Sequence, residues 1–385
     1  MSPASADDAA PPRVVMLESG GWGGLAHYSY NLAEALAAAG CRVTLQTGGP
    51  FELEALPRAF ALRTFPKDAT YRQRWQQTRR TLADTGAGIL HLQSTISARR
   101  DWLWLYRLRA GGCRLVVAVH NVLPHDRAER EAAGMRWAFT RIYRTADALI
   151  AHGDETRRQL VEDFAIARER VHVIAHGDFA FAAGGHTRAA ARAAFDLPDD
   201  ARMLLAFGAL RDYKGIPELI DAFAAVAGEF PAARLFIVGK PIRVDPAEYR
   251  ARIARHSLGG RVVLRAEYVP FEDIGAYFAA CDVAVYPYRN IYQSGALQLA
   301  YGAGRPVVAT RVGELAATVQ HGVNGVLVPP SDPAALAAAL RDMLSRTPEE
   351  LLAMGERSRE LAGAHHSWSE AARHTIAVYR RVACG

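Results

Sequence analysis

Short apolar and β-branched runs alternate along this chain with longer alanine-rich stretches of helical period, the pattern of a parallel sheet covered by helices. In the first half the predicted strands are Arg13–Leu17, Arg42–Gln46, Gly88–Leu92, Arg114–Val119, Ala148–Ala151 and Val171–Ile174. Ala26–Ala39 reads as a helix stopped by Gly40. A softer stretch from Phe179 to Asp200, with Gly184-Gly185 and Pro198-Asp199-Asp200, reads as a connection between domains. Alternation then resumes, with strands predicted at Met203–Phe207, Arg234–Val238, Val262–Leu264, Val283–Tyr286, Pro306–Ala309 and Val326–Val328, and a helical stretch from Glu349 to Val382. Two such series imply an α/β chain of two Rossmann-like, doubly wound domains facing across a cleft. They cover residues 13–185 and 186–365, with a leader at 1–12 and a last helix in 366–385.

Composition narrows the class. Of 385 residues 50% are apolar and 22% charged, which suits packed globular domains. No run approaches the ~18 apolar residues of a membrane span. Met1–Pro12 lacks the basic start and apolar centre of a secretory signal. Cys41, Cys113, Cys281 and Cys384 lie far apart with no CxxC spacing, so a reducing, cytoplasmic setting is expected, without a disulfide framework or zinc site. The net charge of +6 is unevenly spread: between Arg58 and Arg144 there are 17 Lys and Arg against 6 Asp and Glu. Such a patch fits an anionic partner, and equally a solvated helical face in a chain whose basic residues are nearly all arginine.

In a doubly wound sheet, ligands bind beyond the carboxyl ends of the strands, so chemistry is sought in the loops leaving them. The first strand runs into Glu18-Ser-Gly-Gly-Trp-Gly-Gly24 before a helix. Gly23 and Gly24 there read as a pyrophosphate or acceptor loop, the alternative being a plain strand-to-helix turn. The fourth strand ends at His120, placed to hydrogen-bond a sugar hydroxyl or shuttle a proton, with His125 a weaker candidate on the same loop. After the strand ending at Phe207 come Gly208, Arg211 and Lys214, closed by Gly215, a cation pair suited to a diphosphate. Lys214 and Lys240, the latter on the next strand-end loop, are two of only three lysines in the chain. Ser294 is a predicted helix N-cap whose neighbouring backbone donors suit an anion.

The segments "GGWGGLAHYSYNLAEAL", "VHNVLPHD", "GALRDYKGI", "YQSGALQLAYGAGRPVVATRVGEL" and "HGVNGVLVPPSDP" together resemble the retaining glycosyltransferases of family 4, which have the GT-B fold. The resemblance runs in the same order from Arg13 to about Arg381. It implies a nucleotide-sugar donor held mainly by the second domain and an acceptor held mainly by the first. Carried over position by position, Arg211 and Lys214 match the pair on the donor diphosphate, and His120 the histidine near the transferred sugar. Gly23 and Gly24 match the glycine loop. Tyr268 and Val269 fall where the base is held. Gln293, Ser294, Gly295 and Ala296 fall at the helix N-terminus near the phosphates, with Gly208, Lys240 and Gln298 beside the donor. "HHSWSEAARHTIAVYRRV" looks like the helix that returns to the first domain, anchored by Trp368. One departure stands out. The family commonly carries a pair of glutamates, the second on the ribose, and the matching positions here are Ile291 and Leu299.

The resemblance implies retaining transfer of a hexose from a nucleoside diphosphate to an acceptor hydroxyl, by a front-face route in which a phosphate oxygen takes the acceptor proton. The chain has no Asp-x-Asp, which fits a reaction independent of metal, and no separate cofactor is expected. Tyr71–Arg80 and Arg99–Arg109 interleave arginine with tryptophan and tyrosine. Two readings fit them: a peripheral contact with an anionic membrane, serving a lipid-linked saccharide acceptor in polysaccharide or glycoconjugate assembly, or packing of Trp102 and Trp104 in the core. The alternatives to a transferase are a sugar-nucleotide epimerase or phosphorylase, and a non-catalytic nucleotide-sugar-binding relative. Nucleic-acid binding lacks any reading motif. A dehydrogenase fails on the missing GxGxxG.

Overall fold

The computed structural model describes residues 11–123, 129–177, 185–291, 294–365 and 367–384. The chain divides into two units, Met1–Gly177 with Ser367–Gly385, and Asp178–His366.

The first unit begins β1 (Arg13–Leu17), α1 (Gly24–Ala38), β2 (Arg42–Gly48), β3 (Ala61–Phe65), α2 (Tyr71–Thr85) and β4 (Ile89–Leu92). It continues α3 (Ala98–Ala110), β5 (Arg114–Val119), α4 (Glu129–Thr145), β6 (Ala148–Ala151), α5 (Asp154–Glu162) and β7 (Val171–Val173). Its seven strands lie in the order β3-β2-β1-β4-β5-β6-β7, all parallel. The chain reverses direction across the sheet between β1 and β4, and the loops leaving those strands open at that switch point.

The second unit runs α6 (Arg188–Ala194), β8 (Arg202–Phe207), α7 (Ile216–Ala227), β9 (Ala233–Val238), α8 (Pro246–Arg255) and β10 (Val262–Arg265). Then follow α9 (Phe271–Ala280), β11 (Val283–Tyr286), α10 (Gly295–Gly302), β12 (Val307–Thr310), α11 (Gly313–Thr318), β13 (Gly325–Val328), α12 (Pro333–Ser345) and α13 (Pro348–His365). The sheet order β10-β9-β8-β11-β12-β13 puts its switch point between β8 and β11. Leu219, Ile220, Phe223 and Val226 of α7 recur at helical spacing and bury one face against Leu204, Leu235 and Ile237 of the sheet.

All twelve predicted strands form, each within about one residue of its limits except β2, which runs two further. One strand, β3, escapes the reading because it is an edge strand: Leu62, Arg63 and Thr64 are only partly buried, so no apolar run marks it. The helical stretch from Glu349 is two helices, α13 and α14 (Trp368–Cys384). Helix α14 belongs to the first unit and packs on α1 through a face carrying Ala372, Thr375 and Tyr379.

Local chemistry explains the helix limits. Thr70 and Gln73 form a reciprocal capping box on α2, which ends at Gly86 in the left-handed conformation. Asp332 caps α12, with Pro333 at the first turn.

Candidate functional site

In the second unit the chain leaving β8 passes Gly208 to Arg211, and one 3-10 turn, Asp212–Lys214, closes on Gly215. Gly215 has φ 65°, and a Cβ there would stand 1.9 Å from the carbonyl oxygen of Pro287, so only glycine lets this turn lie on the loop after β11. That approach sets Lys214 beside Tyr288. Lys214 Nζ donates to Tyr288 Oη at 2.5 Å; Tyr288 Oη stands 3.3 Å from Ser294 Oγ, which accepts from the Leu297 amide at 3.3 Å and caps α10. Burial, and after it the charge of Arg211, pushes the Lys214 ammonium down to about 7. Arg289 pins the same turn, its guanidinium donating to Glu218 at 2.6 Å and to Asp212 at 3.0 Å.

The loop after β9 joins through its backbone, because the Leu210 amide donates to the Lys240 carbonyl at 2.9 Å while the Lys240 side chain is exposed. A Cβ at Gly208 would lie 3.7 Å from that of Ala296, so Gly208, Ser294, Gly295 and Ala296 come together. Gln298, one turn into α10, is buried, and its Oε1 has no hydrogen-bond partner among the described residues. Tyr268 is exposed and Val269 buried after β10. Ile291 and Leu299 are both buried. Gln293 lies outside the described residues.

In the first unit the glycine loop is already satisfied by the protein's own carboxylates. Glu18 accepts from the amides of Gly20 at 2.7 Å and Gly21 at 2.8 Å and from Thr47 Oγ1 at 2.7 Å. Glu52 accepts from the Gly23 amide at 2.8 Å and stands 3.0 Å from His27 Nε2, at the start of α1. The Gly23 donor thus holds Glu52, and the positive end of α1 already has this anion. Beyond Gly23 and Gly24 a Cβ would meet nothing within 4 Å, so the loop presents open backbone.

His120 follows β5 and is partly buried. Both ring nitrogens are engaged, Nε2 at 3.1 Å from Gln93 Oε1 and Nδ1 at 3.2 Å from His152 Nε2. The Tyr28 ring stands edge-on to it, 4.6 Å between centroids. Desolvation, then His152, His176 and His91, hold its pKa well below the ordinary histidine value. Each ring nitrogen thus faces a protein partner, and burial favours the neutral ring. His125 lies outside the described residues. Among the described residues no group of three or more His, Cys, Asp or Glu stands so as to hold a metal ion.

The family model described as Glycosyltransferase Family 4 matches residues 22–177, and that described as Glycosyl transferases group 1 matches residues 201–346. A relative from Geodermatophilus obscurus, D-inositol 3-phosphate glycosyltransferase, is 32% identical over 245 residues; the match spans 62% of this chain and 53% of that protein, about half its length. D-inositol 3-phosphate glycosyltransferase 1 of Catenulispora acidiphila is 30% identical over 322 residues, 78% of this chain and 76% of that protein. This chain belongs to the group 1, family 4 glycosyltransferases. Its fold is also that of the Anabaena protein HepE solved with UDP-glucose, at a TM-score of 0.79 and 18% identity over 95% of this chain and 98% of that one. The two doubly wound sheets are those of a GT-B glycosyltransferase.

In this glycosyltransferase the sequence reading missed Glu52, Gln93, His91, His152 and His176. A signal existed: Ala151-His152-Gly153 and Ala175-His176-Gly177 repeat one tripeptide at the ends of β6 and β7, as His120 ends β5. The aromatic and basic stretches divide in two. Trp75 is fully buried, donates to Asp101 Oδ1 at 3.1 Å and stacks on Trp104 at 6.1 Å, so these two are packing. Leu103, Tyr106 and Trp137 are exposed along a groove of about 840 Å³ between α3 and α4. The Arg141 guanidinium lies 5.0 Å from the Trp102 ring and 4.5 Å from that of Trp137. Among the described residues no helix is long and apolar enough to cross a membrane.

Proposed function

We propose that this glycosyltransferase moves a hexose from a nucleoside-diphosphate sugar to an acceptor hydroxyl with retention of anomeric configuration. The observation that carries the reading is the Lys214–Tyr288–Ser294 link, which sets a buried cation against a capped helix N-terminus at the β8/β11 switch point. Bond breaking leaves negative charge on the departing diphosphate, and Arg211, Lys214 and the amides opening α10 are the groups suited to stabilise it. A phosphate oxygen of the leaving group takes the acceptor's proton on the same face, so no enzyme carboxylate forms a covalent intermediate and no metal is required. Uridine is the first base to try, because HepE was solved with UDP-glucose.

The acceptor is a saccharide, lipid-linked and met at the inner face of an anionic membrane. The exposed Leu103, Tyr106 and Trp137 with Arg136, Arg141 and Arg144 along the α3–α4 groove support that reading. The relatives named D-inositol 3-phosphate glycosyltransferases support a second one, a soluble polyol phosphate. The buried Ile291 and Leu299 favour, as the rival function, a nucleotide-sugar-binding protein without activity.

Thermal unfolding against UDP, GDP, ADP and their sugar conjugates, without metal, tests the donor, because a ligand of the folded state raises the melting temperature. A selective rise that Lys214→Ala abolishes is the expected result. No rise with any nucleotide would overturn the nucleotide-sugar donor, and a rise without any transfer of sugar would move the chain to the non-catalytic reading. Flotation with anionic vesicles at low salt tests the membrane face, and a chain that stays unbound overturns it.

A further inference from the structure

The carboxyl ends of successive strands in the first unit carry a line of hydrogen-bonding rings. Tyr379 of α14 meets His91 Nδ1 at 2.6 Å, and the Gln93 amide sits 3.1 Å from His91 Nε2. The other end of that amide is 3.1 Å from His120 Nε2. His120 Nδ1 is 3.2 Å from His152 Nε2, and His152 Nδ1 is 3.0 Å from the Ile174 carbonyl oxygen.

Counting hydrogens along this line settles the direction of each bond. A carbonyl oxygen only accepts, so His152 Nδ1 carries a hydrogen, and a neutral imidazole carries one. His152 Nε2 is then a lone pair, and the hydrogen it receives sits on His120 Nδ1. His120 Nε2 is left as a lone pair, which the Gln93 amide meets with its NH₂ end, the end that oxygen and nitrogen positions alone do not distinguish. The opposite orientation of Gln93 would require three hydrogens on the four ring nitrogens, and hence a buried imidazolium. Among the described residues the groups facing the pair are rings: Tyr28 from α1, His176 after β7 and His91 from β4, which burial holds down to about 3. Burial holds His152 down to about 4, which keeps the pair neutral at pH 7.

We propose that His152 and Gln93 are positioning residues that hold His120 as the neutral Nδ1–H tautomer, so that its Nε2 lone pair accepts a hydrogen bond from a substrate hydroxyl. His120 then orients a sugar by accepting, and donates nothing through its ring. The hydroxyl takes the place of the Gln93 N–H, which keeps His91 as its other neighbour. The role at the sugar rests on the transferase reading above, whereas the tautomer does not.

The full chain labelled with ¹⁵N in histidine, with His120 assigned by its loss in His120→Asn, should show hydrogen on Nδ1 and none on Nε2. His152→Gln keeps an acceptor oxygen for His120 Nδ1; His152→Leu removes it. With the cognate donor, His152→Leu should lower kcat about tenfold, the worth of one oriented hydrogen bond. It should leave the donor KM within about twofold, and His152→Gln should recover most of the loss. An Nε2–H tautomer in the wild type overturns the proposal whatever the activity. So does a His152→Gln as impaired as His152→Leu when both melt like wild type. The expected tautomer in a chain that transfers no sugar would instead overturn the transferase reading, and His120's role at the sugar with it.

Discussion

The Lys214 ammonium donates to the phenol of Tyr288, 2.5 Å away, and its nitrogen lies 3.9 Å from the centre of the same ring. Its partner is thus neutral, while Arg211 is close enough to depress its pKa further. A buried lysine held this way is half-protonated near pH 7 and gains its full charge when an anion arrives.

Donor affinity should therefore depend on pH in a stated direction. Below pH 7 Lys214 is already charged and affinity is flat; above pH 7 binding must first take up a proton, and affinity falls by up to about tenfold per pH unit. Calorimetric titration of the cognate nucleotide sugar in buffers of different ionisation enthalpy should show proton uptake at pH 8. Lys214→Met should abolish both the uptake and the slope. A wild-type affinity that stays level from pH 7 to pH 9 would contradict the prediction.

The same lysine leaves a mark on the ligand-free protein. Its folded pKa, about 7, lies below its ordinary 10.5, so between those values the unfolded chain holds a proton that the folded chain does not. Stability rises with pH wherever the unfolded state binds more protons. The cost of burying the charge is thus full below pH 7 and relieved as pH climbs toward 10.5. Denaturant unfolding at pH 7 and pH 9.5 should show Lys214→Met gaining on wild type at the lower pH and losing that advantage at the higher.

Glu52 gives a prediction of opposite sense for the first unit. It holds the Gly23 amide and His27 at the start of α1. Glu52→Ala should cost about 1–3 kcal/mol by leaving those donors unpaired. The freed helix end should then take up an anion, so inorganic phosphate should raise the melting temperature of Glu52→Ala more than that of wild type. An equal response in the two proteins would show that the helix end stays closed.

What was readable in the sequence follows a physical line. Buried parallel strands announce themselves as apolar runs, and in such sheets ligands bind at the loops leaving them, so Arg211, Lys214, Ser294 and His120 could be named as candidates from pattern alone. Strand β3 was not, because Arg63 and Thr64 face partly to water at the sheet edge. The partners of the readable residues were hidden for a different reason. Tyr288 reaches Lys214, His152 reaches His120 and Glu52 reaches Gly23 across 74, 32 and 29 positions. Each such meeting is set by the order of strands, which no local pattern encodes. The tryptophans show the same limit: Trp75 and Trp137 look alike in sequence, and one is fully buried while the other lies exposed.

The last prediction concerns how α14 is seated. A Cβ built at Gly177 would stand 2.2 Å from the Trp368 ring, so the chain after β7 and the start of α14 touch backbone to indole. The ring has little room to yield, with Tyr28 at 5.2 Å and His176 at 5.8 Å between centroids. Gly177→Ala should cost about 1–3 kcal/mol by overpacking, a fall of several degrees in melting temperature at about 2–4 °C per kcal/mol for a unit of this size. Gly228→Ala is the control, because its Cβ would meet nothing within 4 Å and its φ of −65° is ordinary for alanine; it should be neutral or stabilising by up to about 1 kcal/mol. The cause is isolated by repeating Gly177→Ala in a Trp368→Leu background. There the added methyl has space and its cost should largely vanish, a coupling expected of residues in contact. If Gly177→Ala cost the same in both backgrounds, the indole would not be what excludes a side chain at that position, and the seating of α14 would rest on its Ala372, Thr375 and Tyr379 face alone.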